Sequence, residues 1–215
     1  TITPYLKEGK ADLVDLSYRI LLNLTADFSG IDRPDKSVAE TERILSMLRT
    51  FGKAATLGQA KGDKDAISNE INDSIEAFNV EFYKPSKQKR LEYLNRFKLG
   101  EISESDVPKD VLTELLKNQG KLGLSDDIIL KETAFYLLAG AFTSIHTLTH
   151  AMHELFERVK DPTQDNRLMN EPIYLQRCIH ESMRLHPSSP TAMRRPTCPY
   201  QTNDGKTLNN SDTLV

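Results

Sequence analysis

Glu181 and Arg184 stand one helical turn apart, so a helix through them sets a carboxylate beside a guanidinium that can engage it with two parallel bonds. The segment continues Leu185-His-Pro-Ser-Ser-Pro-Thr-Ala-Met-Arg194, in which Pro187 ends the helix and Arg194 offers a further cation. The same Glu-x-x-Arg spacing occurs at Glu40 and Arg43, where a solvated helix face accounts for it. A second constellation is Ala139-Gly140-Ala141-Phe142-Thr143-Ser144. Three small residues there expose backbone to whatever packs on the helix, and Gly140 costs roughly 1 kcal/mol against Ala in a helix interior. Thr143 can bond back to the carbonyl of Ala139 and locally bend the helix. Such a gap suits a flat ligand brought close to the backbone, and it equally suits a helix-helix contact. Imidazoles at His146, His150 and His153 recur at helical spacing and could share a metal, although no Glu-x-x-His pair accompanies them.

The elements that must position these groups are mostly helical. Leu13, Leu16, Ile20, Leu24 and Phe28 step by three and four, with Gly30 as a stop. Further helices are expected over Lys36 to Ala55, Lys64 to Tyr83 and Pro108 to Asn118. Pro85 is expected to break the third of these, and the basic stretch Lys84 to Lys98 to be a solvated helix face. The longest helix begins at Ser125, which can cap it, with Asp126 and Asp127 at the positive end of its dipole. Its apolar stripe runs from Ile128 to Val159, about nine turns at 3.6 residues per turn, and reads as a central pillar. A short polar link then leads to a helix over Glu171 to Leu185, followed by extended chain and a turn at Gln201 to Gly205.

The Glu181 segment with its proline-rich sequel resembles the K-helix region of cytochrome P-450 haem-thiolate enzymes. Ala139 to Ser144 is similar to the family's I-helix motif, Ala/Gly-Gly-x-acid-Thr-Thr/Ser. The resemblance implies a mainly α, P-450-like helical domain, incomplete, with a little β after the K-like helix, and residues 1–215 as part of that single domain. It implies haem as cofactor, with Ala139 and Gly140 against the porphyrin, Thr143 helping to deliver protons to dioxygen, and Arg194 on a haem propionate. Phe142 occupies the acid position, so the usual proton-relay carboxylate is missing; Phe142 could wall the substrate pocket or belong to the apolar stripe. Ser189, Pro190, Thr191 and Ala192 fall where the family's chain passes over the substrate. Glu181 and Arg184 would form a buried structural charge network. The early helices resemble E, F and G, the last two being the substrate lid. Implied partners are an apolar small molecule, dioxygen and an electron donor of the ferredoxin or flavin reductase type.

Neither Cys178, inside a helix, nor Cys198, in a segment without glycines, suits the axial thiolate that haem-thiolate chemistry needs. The axial cysteine is therefore expected outside this chain, with the early C-helix region, and the chain alone is expected to be inactive and to hold no haem as a thiolate complex. Two cysteines make neither a disulfide framework nor a four-ligand zinc site. With 28 basic against 31 acidic residues, no electrostatic case exists for nucleic acid. The longest clean apolar run, Ala134 to Phe142, is far shorter than the roughly 20 residues a bilayer needs, so no membrane span is expected. A cytoplasmic, bacterial-type soluble protein is the expectation, with an anchor in a missing N-terminus left open. The competing readings are a non-catalytic helical interaction module and a His-rich metal-binding helical protein.

Overall fold

Side-chain caps set where several of the helices begin in the computed structural model, which describes residues 3–189, 194 and 196–210. After a short helix α1 (Thr3–Glu8), Asp12 accepts a bond from the backbone N–H of Asp15 and opens α2 (Leu13–Ser29). Gly30 ends α2 at φ 84°, and a Cβ there would lie 2.5 Å from the carboxylate of Asp110, so the position needs glycine for two reasons. Ser37 caps α3 (Val38–Ala55), Asp63 caps α4 (Lys64–Phe78) and Asp110 caps α6 (Val111–Leu122). Ser125 accepts from the N–H of Ile128 at 3.2 Å and starts the long helix α7 (Asp126–Arg158), as its sequence implied.

Pro85 does not break the chain where the sequence suggested. Residues 79–83 form a π turn that joins α4 to α5 (Lys84–Lys98), with the N–H of Lys84 reaching Asn79. A proline ring clashes with the carbonyl four residues before it in a regular helix. One wide turn just ahead of Pro85 displaces that carbonyl, and Pro85 sits in the first turn of α5, where its missing N–H is not needed. The Ser86 hydroxyl donates to the Phe82 carbonyl at 2.6 Å and accepts from the N–H of Asp32 at 2.8 Å.

The chain divides into two compact units, residues 1–145 and 146–215, with α7 running through the boundary. In the first unit Leu22, Ile44, Leu48, Phe78, Leu112 and Leu137 are completely buried. Phe51 and Phe78 meet edge-on with centroids 5.6 Å apart, the arrangement that ring quadrupoles favour. Two buried charge networks hold the loops to this core. Arg33 donates to Glu40 at 3.2 Å, to Thr41 at 2.7 Å and to Asn23. Arg90 donates to Asp110 at 3.1 Å and to Asp32 at 2.6 Å. Arg90 thus corrects the expectation of a wholly solvated basic face on α5, because the loop after α2 and the cap of α6 both converge on it.

Glu40 and Arg43 do not pair with each other. Glu40 serves Arg33, and Arg43 holds Glu81 of the π turn with bonds of 3.1 and 2.6 Å. The Arg43 guanidinium keeps the Glu81 carboxyl below its ordinary value.

In the second unit the expected polar link is itself a helix, α8 (Pro162–Asn170), capped by Asp161 with Pro162 in the first turn. It has no buried residue, so no apolar stripe announced it, although its cap and proline were in the sequence. Helix α9 (Pro172–Leu185) follows, and Arg167 lies over the ring of Tyr174 at 3.8 Å. Strands β1 (Tyr200–Gln201) and β2 (Thr207–Leu208) pair antiparallel across the turn expected there. By length and composition α7 is long and apolar enough to cross a membrane, which the short unbroken apolar run had not suggested. Its stripe Ile129, Leu137, Ala141 and Ile145 is nonetheless buried in the first unit.

Candidate functional site

Helix α7 carries the small-residue segment on two sides at once. Ala141 is completely buried. Gly140 faces α2: a Cβ at this position would come within 2.6 Å of the γ-methyl of Thr25. The Thr25 hydroxyl is tied to the Leu21 carbonyl at 2.5 Å, which turns the methyl toward the glycine. The expectation that Gly140 opens a groove for a flat ligand therefore gives way to a close helix-helix approach, because the space it leaves is already filled. Thr143 donates to the Ala139 carbonyl at 2.6 Å, the back-bond anticipated from its position, and both residues are half-buried.

Phe142 packs edge-on against Tyr18 of α2, with centroids 6.2 Å apart. It belongs to the α2–α7 contact. The apolar cavity wall on this helix is made instead by Phe135 and Leu138, one to two turns before Thr143. With Phe51 and Ala55 of α3 and Ile71 and Ile75 of α4 they enclose a concavity of about 280 Å³. Lys131 is the one charged residue in its lining. The sequence reading assigned Phe135 and Leu138 to a generic apolar stripe; their common spacing did not reveal that α3 and α4 stop short of covering them.

On α9 the Glu181–Arg184 pair is bidentate, at 2.8 and 2.7 Å, and Arg184 holds the Glu181 carboxyl below its ordinary value. The two side chains are 57% and 67% exposed. This departs from the expected buried network: among the described residues the pair is solvated, and its strength is that of a surface ion pair. Arg194 and Ser189 are exposed, while Pro190, Thr191 and Ala192 lie outside the described residues.

His150 of α7 is engaged in another way than a shared metal would require. His150 stacks on His186 with centroids 4.7 Å apart and rings within 9° of parallel. His186 bonds Glu154 at 2.8 Å, and Glu154 also pairs with Arg158, so its carboxyl is held below the ordinary value chiefly by His186. Among the described residues no group of three His, Cys, Asp or Glu side chains is placed to hold a metal.

Residues 54–214 match the Cytochrome P450 family, and the chain belongs to it. Its structure is similar to the crystal structure of CalO2, with a TM-score of 0.68 at 19% sequence identity, over 99% of this chain and 47% of that one. The chain thus spans about half the length of that relative, and the likeness establishes the fold alone. No curated protein matches the chain.

The family is one of haem-containing, iron-dependent oxidoreductases acting as monooxygenases. The described residues do not by themselves fit a haem. The Gly140 notch is taken by Thr25, Cys178 sits half-buried in the middle of α9, and Cys198 is exposed.

Proposed function

We propose that this chain is the central part of a haem-thiolate monooxygenase that oxidises a small, largely apolar molecule. What supports this reading is the concavity of about 280 Å³ walled by Phe51, Ile71, Phe135 and Leu138, on the same helix as Thr143. A rise of 1.5 Å per residue sets Thr143 roughly 7.5 Å along α7 from Leu138, and 3.6 residues per turn set it about 80° round the helix from Phe135. Apolar walls with few polar groups are the usual make-up of a small-molecule site.

In the whole enzyme, a haem held with the help of further chain would supply the dioxygen chemistry, with electrons from a ferredoxin or flavin reductase type of donor. Thr143 and Ala139 would face it, Thr143 holding a proton on a hydroxyl kept in place by the Ala139 carbonyl. Arg194 would neutralise a propionate, and residues 189–192 would pass over the substrate. Glu181 and Arg184 would brace the fold, their exposed pair becoming buried when further chain covers α9. Both units would form one domain of a cytoplasmic enzyme. The chain alone would be inactive.

Two measurements test the reading. An apolar alcohol such as octanol binds the chain saturably, and Ala55→Trp, at an exposed position on the rim, abolishes that binding. Equal binding by the variant refutes the concavity as the substrate site. The chain reconstituted with haem, reduced and exposed to carbon monoxide, shows no thiolate-type Soret band; its appearance overturns the inactive-fragment reading.

A further inference from the structure

The concavity carries a charge at one place only. Its walls are apolar, and Lys131, one turn before Phe135 on α7, is the single ionisable residue in its lining. Lys53 and Glu70, which flank the lining residues Ala54 and Ile71 in sequence, neutralise each other at 2.6 Å. Lys131 is bonded to Asp127 at 2.8 Å across one turn, in a pair that is 59% and 65% exposed. An ammonium group has three donors, and this bond uses one. Exposed pairs of this kind are weak, so the head can serve a second oxygen anion without a large loss. Lysine stems commonly cover apolar surface while the head stays in water, and Lys131 lines this concavity.

We infer that the preferred substrate is an amphipathic carboxylic acid, its apolar body in the concavity and its carboxylate on the Lys131 ammonium. At about 30 Å³ per water-sized group, the space holds roughly nine non-hydrogen groups, a body of medium length. The inference deepens the proposed function and rests on the concavity being the substrate site. Lys131 then selects the charge and orientation of the substrate while the apolar walls supply most of the affinity.

Binding of octanoate, octanol and octylamine to the chain, measured by calorimetry at neutral pH and low salt, tests it. Octanoate binds about two- to fivefold tighter than octanol, and octylamine more weakly than either. Lys131→Met removes the preference for octanoate over octanol; Lys131→Glu turns the preference toward the amine. Asp127→Asn, which frees the ammonium, widens it. Equal affinity for acid and alcohol in the native chain, or a preference that survives Lys131→Met, overturns the inference while leaving the concavity a substrate site. No saturable binding of any of the three, or binding indifferent to Ala55→Trp, overturns the site and the inference together.

Discussion

Gly140→Ala separates the two physical reasons for a glycine in the middle of α7. If Gly140 only kept the helix surface open for a ligand, alanine in its place would stabilise the chain by roughly 1 kcal/mol, the ordinary helix-propensity gain. The structure sets against that gain a Cβ 2.6 Å from the Thr25 γ-methyl, well inside van der Waals contact. Thr25 cannot turn away without breaking its 2.5 Å bond to the Leu21 carbonyl. Overpacking of this kind costs about 1–3 kcal/mol, so the net effect is a loss of about 1 kcal/mol and a fall of a few degrees in Tm for a chain of this size. Thr25→Ser keeps the hydroxyl and removes the methyl. In that background Gly140→Ala becomes neutral or stabilising, which gives a coupling of about 2 kcal/mol between residues on different helices. Urea unfolding followed by far-UV circular dichroism on the four proteins reads the cycle. A Gly140→Ala chain as stable as the native one, or a coupling near zero, refutes the packing argument.

Three further outcomes follow from buried or paired groups. The Tyr83 hydroxyl is buried with no partner, and burial with Asp126 nearby pushes it from 10.0 up to about 12. Tyr83→Phe is therefore neutral or stabilising by about 1 kcal/mol at neutral pH. Because the folded state holds this proton longer than the unfolded chain, stability present below pH 10 is lost as pH rises toward 12, by up to about 3 kcal/mol; the variant lacks that part of the loss in alkaline unfolding titrations. Arg90→Met strands Asp110, whose side chain is 5% exposed, and costs about 3–5 kcal/mol in denaturant unfolding, with the Asp110→Asn double variant losing less than the sum. Glu154 is held below its ordinary 4.5 by His186 and then Arg158, so its contribution is present above that pH and disappears as pH falls below it. Comparing acid unfolding of the native chain with Glu154→Gln checks this, the variant showing the shallower decline.

Much of the architecture was legible because capping and periodicity are local. Gly30 and Ser125 gave the end of α2 and the start of α7, and the Thr143 back-bond stays within one turn of its own helix. Other features depended on neighbours distant in sequence. Pro85 read as a break because proline inside a helix usually ends or kinks it, and no residue pattern declares the π turn that carries α4 into α5. Helix α8 hid because nothing packs on it, which leaves no stripe to read. Arg90 looked like one more solvated base until Asp32 and Asp110, 58 and 20 residues away, closed on it.

The sequence by itself determined most of the helices, the two motifs and, through them, the family. Each rests on residues within a few turns of one another, where spacing alone sets geometry. Only the tertiary structure decided which face of α7 does what. Gly140 and Phe142 turn toward α2, Phe135 and Leu138 toward an opening beside α3 and α4, and Lys131 stands at its rim. Every side of a helix repeats with the same period, so periodicity names the sides but not their neighbours; those are assigned by packing between segments that the sequence keeps far apart.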